Sequence, residues 1–182
     1  MTRAKIVVRG ALGLVAIWLV AACDTGKAST NPRTATARDS AEQVLYGGRS
    51  VLASNGVRRG DIAGDTVLVF SAATRFELMG LRAQFMSTLG RPLGTMTSAT
   101  GTYRIPAGRI IARGKVTIVS DTSHRRLEGT LVRYEVGTNQ LSSDSAFVAT
   151  SGTRRLSGVG FTADPGLFTV KCSQRCTGSL GP

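Results

Sequence analysis

From residue 95 to residue 164 one strand phrase is written three times: a glycine, an aromatic residue within a few positions, then a polar turn. It reads Gly101-Thr102-Tyr103, then the run from Gly129 that ends on Tyr134, then Gly158-Val159-Gly160-Phe161. Tyr103 and Tyr134 stand 31 positions apart, and the turns behind them, Ala107-Gly108 and Thr138-Asn139, each lead toward a new apolar run. Such self-similarity points to stacked hairpins rather than to an enzyme pocket. A long series of near-equivalent strands builds a trough, and a trough suits an elongated ligand.

The 182 residues give room for one domain of ordinary size. With 42% hydrophobic but only 5% aromatic residues, 22 glycines and 5 prolines, the chain suits many short strands joined by turns. No stretch has the caps and period of a long helix.

Residues 1–22 form a separate unit. Arg3, Lys5 and Arg9 precede the uncharged residues 10–22, which end in the small pair Ala21-Ala22, the grammar of a secretory signal. The uncharged run is 13 residues long, whereas a helix crossing a bilayer takes about 20. The alternative is a retained transmembrane helix over residues 6–22, with Arg9 snorkelling toward the headgroups. Leu19-Val20-Ala21-Ala22-Cys23 resembles the lipobox of bacterial lipoproteins, which implies cleavage before Cys23 and acylation of that residue. Asp24 behind it resembles an inner-membrane retention signal.

The formal charge of +12, less the three positive charges of residues 1–22, leaves +9 on the mature chain. A basic exported chain favours phosphorylated lipid or a membrane surface over nucleic acid. The plainer reading is that pairs such as Arg58-Arg59, Arg125-Arg126 and Arg154-Arg155 solvate exposed strand faces. Cys172 and Cys176 remain for a local disulfide in an oxidising compartment, provided the segment turns enough to bring their Cα atoms within about 7 Å. No metal site is expected, because the sole histidine, His124, lies far from them.

Residues 23–41 are rich in Thr, Ser, Ala and Asn and read as a flexible tether. The folded domain is expected over residues 42–172, with 173–182 as a tail. Strands are expected over 57–70, 76–86, 95–105, 109–120, 126–136, 140–150 and 156–163, with a last apolar pulse at 167–170. In 109–120, Ile110, Ala112, Gly114, Val116 and Ile118 share one face by the period of two. In 126–136 the apolar phase changes from Leu127 and Leu131 to Val132, Tyr134 and Val136, as one inserted residue would make it do. Together with the in-strand glycines, this predicts a bent, rolled antiparallel sheet.

The chain resembles the LptC family, the periplasmic bridge components of lipopolysaccharide export, within the wider family of OstA-like β-jellyroll domains. The resemblance rests on Gly101-Thr102-Tyr103, Ala112-Arg113-Gly114-Lys115-Val116, Arg126-Leu127-Glu128, Tyr134, Asn139-Gln140-Leu141-Ser142-Ser143-Asp144, Gly158-Val159-Gly160-Phe161 and Asp164-Pro165. It implies an all-β fold, an open, rolled antiparallel jellyroll, at the periplasmic face of the inner membrane. It further implies that the domain receives lipopolysaccharide from the inner-membrane ABC transporter complex and hands it to a soluble periplasmic OstA/LptA-like partner, docked edge to edge. The chain departs from that family at its anchor, a lipobox in place of a transmembrane helix.

The residues expected to line a lipid-binding groove are Ile110, Ala112, Val116, Ile118, Leu127, Leu131, Leu141, Phe147 and Phe161, and the competing reading packs them against one another as a core. Each methylene removed from water is worth ~0.8 kcal/mol, so contact with acyl chains alone can hold such a cargo. The open edges are expected near residues 45–57 and 156–170. No cofactor is expected, and enzyme chemistry finds little support: His124 sits in a Ser/Thr-rich turn, and Glu77, Glu128 and Glu135 lie among arginines. The alternative function is that of a structural or assembly-factor envelope lipoprotein without lipid cargo.

Overall fold

Period-two alternation, broken at regular places, dictates a sheet that must bury one face and bend to do so. The structure, a computed structural model, describes residues 40–70 and 73–181. They form nine strands: β1 (Gln43–Ser54), β2 (Val57–Phe70), β3 (Arg75–Met86), β4 (Pro92–Arg104), β5 (Arg109–Ser120), β6 (Arg126–Glu135), β7 (Gln140–Ser151), β8 (Arg154–Ala163) and β9 (Val170–Gly178). Each pairs antiparallel with the next, in one open sheet ordered as the chain runs, with β1 and β9 at its edges among the described residues. The β1–β2 hairpin closes on Asn55 and Gly56, both at positive φ (52° and 75°), as a two-residue turn matched to strand twist requires.

The bend comes from a row of bulges across the middle of the sheet. The ladders slip between Thr97 and Thr100, Arg113 and Val116, Gly129 and Arg133, Ser143 and Ala146, and Ser157 and Val159. Inward positions therefore change parity in β4 (Met96 to Gly101), β6 (Leu127 to Val132) and β8 (Leu156 to Phe161). β5 and β7 carry one more residue at the row and keep parity, from Ala112 to Val116 and from Ser143 to Phe147. In β5 the extra length is taken up by Gly114 and Lys115 at φ 73° and 45°, so Gly114 leaves the inner face on which strict alternation had placed it. Bulges of this kind bend a strand and sharpen its twist.

Across the bend the two halves of the sheet face each other and share one buried cluster, from Leu52 through Leu180. The contact runs with an offset. Phe85 of β3, on the Met96 side of the bend, meets Tyr134 of β6, on the Tyr103 side.

The domain extends past the expected end at Cys172. Residues 173–178 belong to β9, because Gln174 pairs with Val159, Thr177 with Ser157 and Gly178 with Leu156, so β9 rather than 156–170 is the downstream edge. This segment has no apolar alternation to announce a strand; its partner strand and the Cys172–Cys176 disulfide (Cα–Cα 6.0 Å) hold it. The expected signal at 1–22, Cys23 and the tether up to residue 39 lie outside the described residues.

Candidate functional site

Eight of the nine expected groove residues lie on the inner face. Ile110, Ala112, Val116 and Ile118 of β5, Leu127 of β6, Leu141 and Phe147 of β7 and Phe161 of β8 are all buried. Ile110 pairs with Tyr134, Ala112 with Val132 and Ile118 with Leu127, while the Phe147 and Phe161 rings lie 5.0 Å apart. These side chains fill the space between the halves and pack on one another. Each stabilises the fold by roughly 1.5–3 kcal/mol for a fully buried Leu, Ile, Val or Phe. An acyl chain entering between them would exchange apolar contact for apolar contact, and the cost is that of parting the halves.

Leu131 is the exception and corrects the expected set. It pairs with the exposed Arg113 on the outer face and is absent from the buried cluster. Period two from Leu127 makes Gly129 the next inward residue, and the bulge then moves the inward register to Val132.

The offset across the bend leaves one part of the inner face without an opposing strand among the described residues. On the Tyr103 side of β1–β4, Leu45, Val67, Phe76, Leu78 and Tyr103, with Ile62 from across the bulge row, surround a cavity of about 50 Å³. A water needs about 10–15 Å³ of such space, so this mouth admits a few small groups and not a whole acyl chain as it stands. Leu45 is 45% exposed there, whereas Val67 and Leu78 behind it are buried in the continuous core. The sequence reading missed these residues; the signal was the phase break in β3, where Leu78 and Leu81 both point inward around Gly80 at φ 65°.

The opposite end is closed. The β8–β9 connection folds over the sheet with Leu167 fully buried, and Leu180 joins the same cluster. Arg125, expected as a solvated charge, is instead buried. Its guanidinium donates to the carbonyls of Leu167 (3.0 Å), Phe168 (2.7 Å) and Gly181 (3.1 Å). Ser120 Oγ and Ser123 Oγ both donate to the Gly166 carbonyl at 2.7 Å. The disulfide lies against Gly158, where a Cβ would stand 2.4 Å from Cys172 Sγ, so only glycine fits beneath it.

Apart from Arg125, the ion pairs among the described residues lie on the outside. Glu135, Glu128 and Glu77 face Arg109, Arg126 (2.7 Å) and Arg75 (3.9 Å), and His124 occupies the exposed β5–β6 turn. Asp144 accepts from Arg133 at 2.9 Å, and that hydrogen bond holds its carboxyl below the usual range. Inside, the Tyr134 hydroxyl donates to Asn139 Oδ1 at 2.8 Å, and burial pushes its pKa up to about 12 against the opposing pull of nearby Arg59. No protein-family model matches the chain, and no curated protein matches it.

Proposed function

We propose that this chain is a lipopolysaccharide-binding bridge protein with an OstA-like jellyroll, of the kind the LptC family represents. Anchored by acylated Cys23 at the periplasmic face of the inner membrane, it takes lipopolysaccharide from an ABC transporter complex and passes it along its inner face to a periplasmic partner of the same fold. The observation that carries this reading is the apolar inner face at β1–β4, which no strand among the described residues covers and which is continuous with the core behind it. Acyl chains gain ~0.8 kcal/mol for each methylene they remove from water, so a mouth that widens along the core recruits them without polar chemistry.

Photocrosslinking in cells tests this. A photoreactive residue at Phe76 or Leu45, at the mouth, and at Ile118 or Phe147, in the core, should capture lipopolysaccharide. Capture from Arg113 alone, on the outer face, rejects the trough. For the anchor, Cys23→Ser should lose acylation and accumulate as precursor; normal processing and attachment would favour the transmembrane helix over residues 6–22.

The second reading, an assembly factor without lipid cargo, is favoured by how completely Ile110, Ile118 and Leu127 are already packed. It expects protein partners but no lipid to be captured from all four positions.

A further inference from the structure

The apolar interior gives the basic charge of this chain no role, and the outer face of β1–β3 supplies one. Along the outer face one cross-strand row reads Arg49, Ala63, Arg82, Thr97, Thr117 and Glu128, and the next reads Val51, Asp61, Gln84, Thr95, Val119 and Arg126. At β1–β3 these rows border a depression of about 510 Å³, lined by Arg49, Arg58, Arg82, Asp61, Gln84 and Val51 among others. Its acid is taken: Arg58 holds both oxygens of Asp61, at 2.7 and 2.6 Å. Arg49 and Arg82 have no acidic partner among the described residues, and they stand on either side of Ala63, whose methyl leaves the space between them open. Strands two apart are roughly 9–10 Å apart, within reach of two arginine side chains converging on one anion.

We propose that this face lies on an anionic lipid surface, with a headgroup phosphate held between Arg49 and Arg82. Guanidinium forks match the oxygens of phosphate, the anion that a phospholipid headgroup presents. Exposed apolar side chains on the outer face point to a lipid rather than free phosphate as the source: Val51 (54% exposed) borders the depression, and Tyr46 (72%) and Met79 (47%) lie just across the bulge row from it, side chains of the kind that interfacial surfaces place in the headgroup layer. Tyr46 and Val51 belong to β1, the strand that the expected membrane tether reaches first. The other end of the Arg49 row carries Glu128, paired with Arg126, so the unpaired positive charge of that row lies at β1–β3. This inference concerns the outer face and stands apart from the cargo reading of the inner one.

The test reconstitutes the full-length chain into phosphatidylcholine vesicles with or without phosphatidylglycerol, with a photoreactive residue at Val51, Met79 or Val148, the last on the same face of β7. Val51 and Met79 should capture phospholipid in the anionic vesicles, and Val148 should not. Arg49→Gln or Arg82→Gln should each lower capture about fivefold, and the pair about thirtyfold, as the loss of one and two arginines near an anionic surface implies. Asp61→Asn, which frees Arg58, should raise it. Equal capture from Val148, equal capture in neutral vesicles, an unchanged double variant, or full competition by inorganic phosphate would each overturn the proposal.

Discussion

The Phe85 ring on β3 lies 4.6 Å from the Tyr134 ring on β6, centroid to centroid, at an interplanar angle of 50°. The pair joins the two halves of a single bent sheet across the bulge row. Phe85→Ala is expected to cost about 3–5 kcal/mol, the range for a fully buried aromatic, and Phe85→Leu clearly less. Urea unfolding measures this, with the m-value as a check that the native state keeps its extent. A cost below about 1 kcal/mol would mean the halves do not depend on this contact.

Tyr134 also makes stability pH-dependent. Its folded pKa, about 12, lies above the ordinary value of 10.0. A raised folded pKa means that the contribution is complete below the unfolded pKa and is lost as pH rises toward the folded one. Stability should therefore fall between about pH 10 and pH 12, by roughly 2–3 kcal/mol from this group, a shift of one pKa unit being about 1.4 kcal/mol. Tyr134→Phe loses the hydrogen bond to Asn139 at every pH and removes this slope. If the variant and the parent decline in parallel over that window, the burial of this hydroxyl is wrong.

Arg125 closes the downstream end. Arg125→Met leaves the Leu167, Phe168 and Gly181 carbonyls without their donor, and an unsatisfied buried polar group costs about 1–3 kcal/mol. The expected sign is early protease cleavage within residues 164–169 and a lowered melting temperature. Arg125→Lys should restore only part, because one ammonium cannot span three carbonyls as the planar fork does.

The disulfide should stabilise β9 locally. Closing so short a loop is worth about 2 kcal/mol, so Cys172→Ser with Cys176→Ser should lose amide-exchange protection in β9 while β5–β7 keep theirs. Gly158→Ala places a methyl 2.4 Å from Cys172 Sγ and 2.8 Å from the Gln174 carbonyl, and overpacking of that sort costs about 1–3 kcal/mol. In the background without the disulfide that penalty should shrink, and a double-mutant cycle reads the coupling. Additive costs would place the disulfide away from Gly158.

Strand existence was legible in the chain because alternation is local. β5 spans the residues that its pattern marks, whereas β1 was not among the expected strands. The phase change in β6 was legible as well, but the identity of its inward residues was not. Whether Leu131 or Gly129 continues from Leu127 depends on where the bulge falls, and that is decided by pairing with β5 and β7. β9 carried no pattern, since an edge strand with a polar sequence gains its order from its neighbour and from the disulfide.

By itself the sequence determined that the chain is β-rich, where most strands run, that the sheet bends, and that it carries excess positive charge, because alternation, turn chemistry and composition act within a few residues. The tertiary structure alone decided that the bulges align into one bend, that Phe85 of β3 meets Tyr134 of β6 across it, that the downstream end is sealed by Arg125 and Leu167 while no described strand covers the Tyr103 side of β1–β4, and that Arg49 and Arg82 flank one depression. Those outcomes depend on contacts between residues distant in the chain, whose partners no local pattern specifies.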